Sequence, residues 1–184
     1  TYLIHVGYLA YDRENKTCRI PNKEVQQEWF NAIEANTDYT VTNQIIQASR
    51  ELLSETLAGN TDAVAKALDV SHIHVSSNRS YNHEDVLQSA IYLAYIYALN
   101  RYTVVREMTA GKGYADVVFI PVYPKDPAMV IELKRNDCVE SALIQIKQKQ
   151  YFDSLSHYSG RLLLVGINYD EKEKTHSCGI EWME

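Results

Sequence analysis

The sequence has no long hydrophobic segment and little cysteine. No apolar run approaches the roughly 20 residues that a membrane-spanning helix needs. The opening stretch, TYLIHVGYLAYD, lacks the basic segment and the small-residue cleavage site of a signal peptide. Cys18, Cys138 and Cys178 are odd in number and widely spaced, without a Cys-x-x-Cys pair. These absences argue against a membrane protein, a disulfide framework and a zinc site, so we expect a soluble protein of the reducing cytoplasm.

A surplus of positive charge is also absent. The chain has 24 acidic and 18 basic side chains and a net charge of −6, whereas nucleic-acid binding proteins neutralise phosphates with basic groups. The excess of negative charge is unevenly distributed along the chain, because residues 1–100 carry a net charge of −5 and residues 101–184 a net charge of only −1. Any basic surface must therefore be local. Its candidate members lie in the second half of the chain and are Arg106, Lys112, Lys134, Arg135, Lys147 and Lys149.

A nucleotide-binding phosphate loop is missing as well. Gly111-Lys112-Gly113 lacks the spacing of GxxxxGK[ST] and precedes a strand-like run instead of a helix. Turn residues with positive φ explain these glycines better. An enzyme that hydrolyses nucleoside triphosphates by itself is therefore disfavoured.

Two apolar runs at the centre of the chain each contain one acid. The chain is long and hydrophobic enough for a core, with 184 residues of which 46% are hydrophobic. YADVVFI and AMVIEL are short, rich in β-branched residues and bounded by Gly or Pro, which predicts two neighbouring strands. Asp116 lies in the first run and Glu132 in the second. A carboxylate on a covered sheet face is costly unless it meets a cation or lies at an open strand end.

A divalent metal would satisfy both acids. Two neighbouring carboxylates repel each other, and Mg²⁺ relieves this repulsion while keeping positions for water and a phosphate oxygen. Lys134 follows Glu132 by two residues and therefore points to the same face of a strand. Its ammonium could stabilise the charge of a phosphodiester transition state, or orient and deprotonate the attacking water.

Asp116 followed by Glu132-Leu133-Lys134 resembles the signature of the PD-(D/E)XK nuclease superfamily. The wider chain resembles the C-terminal nuclease-like region of bacterial proteins that begin with an AAA-type ATPase-like domain. The strings that carry this resemblance are GYLAYD, IPNKEVQQEWF, GKGYADVVFIP, MVIELK and ALIQIKQKQY. The chain departs from the signature at Ala115, where proline is expected. This departure leaves the carboxylates unchanged.

The resemblance implies roles for individual residues. Asp116 and Glu132 would bind Mg²⁺, or alternatively Mn²⁺, and the Leu133 backbone carbonyl would add a ligand. Lys134 would complete the catalytic set. An ATPase-like domain would precede the chain, whose abrupt opening fits a piece of a longer protein.

Three supporting residues also follow from the resemblance. Glu84 begins a helix before the core strands, although it could simply complement the positive end of that helix. Gln145 and Lys149 are four residues apart on one face of a helix that follows Lys134. They would face the site, and the alternative is a solvated polar face.

The expected fold is α/β, with a central mixed sheet flanked by helices and a restriction-endonuclease-like core. Residues 1–75 are predicted to form a β-hairpin and helical region that links the chain to the expected ATPase-like domain, and residues 76–184 a PD-(D/E)XK nuclease-like domain. In the first region, strands cover residues 2–11 and reach Ile20, and a polar loop spans residues 70–80. Helices are predicted at residues 21–34, 41–59, 61–69, 83–100 and 139–155, and further strands at residues 101–108, 161–169 and 177–183.

Two functions remain open from the sequence. The first is Mg²⁺-dependent hydrolysis of phosphodiester bonds in DNA, favoured by the intact Asp116, Glu132 and Lys134. The second is a catalytically silent nuclease fold that acts as a protein-interaction or regulatory module of an ATPase-like protein. The acidic overall charge favours this alternative.

Overall fold

The structure is a computed structural model that describes residues 2–35, 40–75, 84–110, 113–149, 155 and 161–183. The chain divides into two compact units, Thr1–Ile46 and Gln47–Glu184. The sequence division at residue 75 therefore falls inside the second unit, and as a statement about separate domains it stays a prediction. Among the described residues, no helix combines the length and apolar composition needed to cross a membrane.

The first unit contains the predicted hairpin. Its elements are α1 (Tyr2–His5), β1 (Ala10–Asp12), β2 (Thr17–Arg19) and α2 (Lys23–Ala35). The Asp12 carboxylate closes the turn between the strands by accepting the N–H groups of Glu14 and Asn15. Asn22 caps α2 through the N–H of Val25 at 2.9 Å. The predicted strand at residues 2–11 is wrong in its first part, because its opening residues form α1.

The first helices of the second unit precede its sheet in the chain. They are α3 (Thr40–Ala58, in this unit from Gln47 on), α4 (Thr61–Val75) and α5 (Glu84–Ala94), and a 3-10 helix (Ile96–Asn100) follows α5. α4 continues through Val75, so the loop predicted from residue 70 begins at least six residues too early. The helix predicted at residues 83–100 is interrupted after Ala94. Residues 76–80, the remainder of that predicted loop, lie outside the described residues, as do residues 81–83.

Five strands form one mixed sheet in the order β3-β4-β5-β6-β7. They are β3 (Tyr102–Ala110), β4 (Gly113–Pro121), β5 (Ala128–Arg135), β6 (Leu162–Asp170) and β7 (Thr175–Met183). All neighbours pair antiparallel except β5 and β6, which are parallel and joined through α6 (Val139–Gln148). The predicted α/β fold with a mixed sheet and flanking helices is confirmed.

Alternate residues of β5 enter different halves of the core. Met129, Ile131 and Leu133 are buried in a cluster with side chains of α3, α4 and α5. Ala128 and Val130 are buried in a second cluster with Leu143 and Ile146 of α6. Since side chains alternate along a strand, the even-numbered residues of β5 face α6. Glu132 is therefore directed to the α6 side of the sheet.

A long-range contact ties α4 to the edge strand β7. The Asp69 carboxylate accepts the backbone N–H of His176 at 2.7 Å and lies 2.8 Å from the ring nitrogen Nδ1. The His176 side chain is buried, and burial holds the pKa of its imidazole below the usual value despite the neighbouring carboxylate. This contact stabilises the sheet edge on which α4 lies.

Candidate active site

β4 and β5 separate where the two acids lie. Their ladder contains the pairs Phe119 with Met129, Val118 with Val130, and Val117 with Ile131. One further step along this register would set Asp116 opposite Glu132, but the ladder ends first. Directly opposite residues of an antiparallel pair project from the same face. We call this place, where β4 and β5 part beyond Val117 and Ile131, the strand fork. It directs both carboxylates to one side of the sheet.

Asp116 also completes the backbone hydrogen bonding at the fork. Its Oδ2 accepts the N–H of Leu133 at 2.7 Å. This N–H belongs to the residue just beyond Glu132, where β4 no longer supplies a partner through the ladder. The carboxylate is thus anchored beside the Glu132 backbone.

Glu132 is a buried carboxylate with two different oxygens. Its side chain is only 1% exposed. Oε1 accepts a hydrogen bond from Gln145 Nε2 and lies 3.2 Å from Lys149 Nζ and 3.8 Å from Lys134 Nζ. Oε2 is equally buried and has no hydrogen-bond partner among the described residues. A buried oxygen without a partner is costly, so Oε2 marks a position suited to a cation.

The pKa of Glu132 reflects this environment. Burial, followed by the negative charge of Asp116, raises it from 4.5 to about 7. Lys149 and Lys134 act in the opposite direction and reduce the shift without cancelling it. The site as a whole therefore disfavours an ionised Glu132 as long as no further positive charge is present.

Gln145 connects the Glu132 carboxylate to the Lys134 ammonium group through two hydrogen bonds. Its amide nitrogen donates to Glu132, and its amide oxygen accepts a hydrogen bond from Lys134 Nζ at 2.5 Å. The side chains of Lys134 and Lys149 are about one-fifth exposed, at 22% and 21%. Both ammonium groups therefore lie at the edge of the site, where they contact Glu132 and still reach solvent.

The structure brings together five of the residues singled out by the sequence: Asp116, Glu132, Lys134, Gln145 and Lys149. Glu84 is the first residue of α5, and its side chain lies outside the described part of the chain. Leu133 contributes its N–H to the fork, whereas its carbonyl as a metal ligand stays a prediction. Lys112 also lies outside the described residues.

Sequence reasoning missed Asn168, which fixes the start of α6. It is buried on β6, opposite Lys134 in the parallel register, and its Oδ1 accepts the N–H of Asp137 at 3.0 Å. Asp137 in turn accepts the N–H of Cys138 and the hydroxyl of Ser141 in the first turn of α6. The available signal was an amide within the apolar run RLLLVGINY, where a buried polar side chain requires a partner.

The donor atoms at the fork suit a hard divalent cation. Two carboxylates supply oxygen ligands, and Mg²⁺ often takes only one or two carboxylates from the protein and fills its other positions with water or substrate oxygens. The unpartnered Glu132 Oε2 is the specific observation in favour of this fit. The described residues contain no group of three or more His, Cys, Asp or Glu side chains that could enclose an ion completely.

A mixed sheet with helices on both faces, and with Asp, Glu and Lys at a strand fork, defines a restriction-endonuclease-like protein. The family model of the PD-(D/E)XK nuclease superfamily matches residues 82–178, more than half of the chain, and the chain belongs to this superfamily. Members generally use divalent metals. A search of curated proteins gives no match.

Proposed function

We propose that this protein hydrolyses phosphodiester bonds of DNA with Mg²⁺, for which Mn²⁺ can substitute. The observation that carries the proposal is the buried, unpartnered Oε2 of Glu132 at the strand fork that also holds Asp116. Burial and the Asp116 charge raise the pKa of Glu132 to about 7. A divalent ion removes both penalties, because Oε2 can coordinate it and its positive charge screens the two carboxylates from each other.

The charges of the site favour an anionic substrate once the ion is bound. Two carboxylates, Asp116 and Glu132, face two ammonium groups, Lys134 and Lys149, so the protein groups balance when Glu132 is ionised. A divalent cation then leaves a net positive charge of two. A phosphodiester brings one negative charge and develops a second in the transition state, so the loaded site complements both.

In this proposal Asp116, Glu132 and the Leu133 carbonyl hold the ion, which polarises the phosphate oxygen when bound. Gln145 and Lys149 occupy Oε1 of Glu132 and thereby turn Oε2 toward the ion. Lys134 stabilises the developing negative charge or positions the attacking water. Its hydrogen bond to Gln145 holds the ammonium 3.8 Å from Glu132 Oε1.

The biological setting belongs to the same proposal. We infer from the sequence resemblance that the domain works in the bacterial cytoplasm, next to an ATPase-like domain. DNA is the favoured substrate because of the resemblance and the local lysines, although the net charge of −6 gives the chain little general affinity for nucleic acids. A partner domain would compensate for this by bringing the site to its substrate.

Cleavage assays with matched variants test the proposed function. The substrates are linear, single-stranded, branched and supercoiled DNA as well as RNA, each with Mg²⁺ and with Mn²⁺. Lys134→Ala should lower cleavage by a factor on the order of 10²–10³ while metal binding stays nearly intact. Glu132→Ala should abolish both. Lys172→Ala removes an exposed lysine with the same change of charge and should behave as wild type.

The alternative function is a silent nuclease fold that acts as an interaction module, and the acidic overall charge favours it. The same assays decide between the two. If the wild-type chain cleaves none of the substrates, even when joined to an ATPase-like domain, the module becomes the better interpretation. Cleavage that survives Glu132→Ala would contradict the proposed site itself.

A further inference from the structure

Two glycines lie beneath the first turns of α6. Gly166 of β6 pairs with Gly179 of β7, and Gly166 is also opposite Glu132 of β5. A Cβ atom at Gly166 would lie 2.9 Å from the carbonyl oxygen of Val139 and 3.0 Å from Cβ of Ala142. A Cβ atom at Gly179 would overlap Cγ1 of Val139. Neither position has room for a methyl group at the present distance between α6 and the sheet.

The start of α6 cannot easily shift to make room. The Asn168 amide holds the Asp137 backbone, and Asp137 binds Cys138 and Ser141 at the beginning of the helix. A larger side chain under Val139 would therefore tilt the helix about this fixed start. The residues beyond the first turns would move most, and these include Gln145.

We propose that Gly166 and Gly179 are positioning residues for the active site. By lacking side chains they allow α6 to lie close enough to the sheet for Gln145 and Lys149 to reach Oε1 of Glu132. Neither glycine has a positive φ, so local backbone strain does not explain the choice of residue. The kinetic consequence rests on the proposed nuclease function, whereas the geometric one does not.

Crossed variants separate this role from general destabilisation. Gly179→Ala clashes with a side-chain methyl group of a β-branched residue, which has little rotamer freedom in a helix. Val139→Ala removes that group, so the double variant Gly179→Ala/Val139→Ala should restore the position of α6. Gly166→Ala meets a backbone oxygen first. Val139→Ala should therefore fail to rescue it, and Val139→Ala alone serves as the control.

The first measurement is hydrogen exchange of the Gln145 side-chain amide by NMR, with the signal assigned by its loss in Gln145→Leu. Gly179→Ala should accelerate exchange about tenfold or more, because the hydrogen bond to Glu132 is lost. The double variant with Val139→Ala should return close to the wild-type rate. Unchanged exchange in Gly179→Ala would overturn the proposal. If that variant does not fold, the double variant decides: it must fold and show the protected amide.

The second measurement is a coupling test on cleavage. Gly179→Ala should lower kcat about tenfold or more in the wild-type background, since small displacements of positioned groups are costly. In a Gln145→Leu/Lys149→Met background, the same change should have almost no further effect on the residual rate. An equal loss in both backgrounds would indicate a purely structural role and would overturn the proposal. If wild type does not cleave, the proposed function fails while the amide exchange still tests the glycines.

Discussion

Replacement of Glu132 by glutamine should stabilise the metal-free protein at high pH. The glutamine oxygen can still accept the hydrogen bonds of Gln145 and Lys149, so the change mainly removes a buried negative charge. Because burial and Asp116 raise the pKa of Glu132 to about 7, the folded state keeps this proton to a higher pH than the unfolded state does. The stability that protonated Glu132 contributes to the fold is therefore fully present below about pH 4.5. It is lost as the pH rises through 7 and the side chain ionises in the folded state.

The magnitude follows from the two pKa values. The ordinary value is 4.5 and the folded value about 7, and one pKa unit corresponds to about 1.4 kcal/mol, so ionisation of Glu132 costs the fold about 3 kcal/mol at pH 8. Glu132→Gln has no proton to lose at this position. The unfolding free energy of the variant relative to wild type should thus increase by about 3 kcal/mol between pH 4.5 and pH 8.

Urea unfolding in EDTA, followed by circular dichroism at several pH values, measures this difference. Glu51→Gln on α3 is the matched control, because Glu51 is an exposed carboxylate. The control should show no comparable pH-dependent gain. A stability difference between Glu132→Gln and wild type that is the same at pH 5 and pH 8 would refute the assignment of a costly buried charge. So would a variant that becomes less stable than wild type as the pH rises.

Two further predictions concern the metal and the sheet edge. Mg²⁺ should raise the Tm of the wild-type protein more at pH 8 than at pH 6, because protons compete with the ion for Glu132 below about pH 7; equal shifts in calorimetry would contradict this. Asp69→Ala removes the acceptor of the His176 backbone N–H and should cost about 1–3 kcal/mol in urea unfolding. Metal binding by that variant should remain unchanged. A loss of metal affinity would show that the contact between Asp69 and His176 also supports the metal site.

The sheet was largely predictable because its strands have a strong local signal. β4 and β5 contain short apolar runs with β-branched residues, and β6 begins as a continuous apolar run. The parallel pairing of β5 with β6 follows from the helical segment between them. The carboxylate pair could be predicted from the sequence for the same reason, since Asp116 and Glu132 interrupt two apolar runs.

The errors occur where neighbours in space decide the conformation. The opening residues are apolar enough for a strand but form α1, and α4 continues through polar residues that were assigned to a loop. Asp69 and His176 are 107 residues apart in sequence, so no local pattern links them. Likewise, the need for glycine at positions 166 and 179 comes from α6, which packs closely against them in the fold. The local sequence pattern does not show this packing.

The strand fork also determines which inactive variant suits trapping experiments. A protein that binds substrate without cleaving it must keep its native backbone, and the Leu133 N–H depends on an oxygen of Asp116. Asp116→Ala would remove that acceptor and disturb the backbone next to Glu132, so lost binding could not be attributed to lost chemistry. Asp116→Asn keeps an oxygen acceptor for this N–H while removing the negative charge. It is therefore the better choice for capturing an uncleaved substrate.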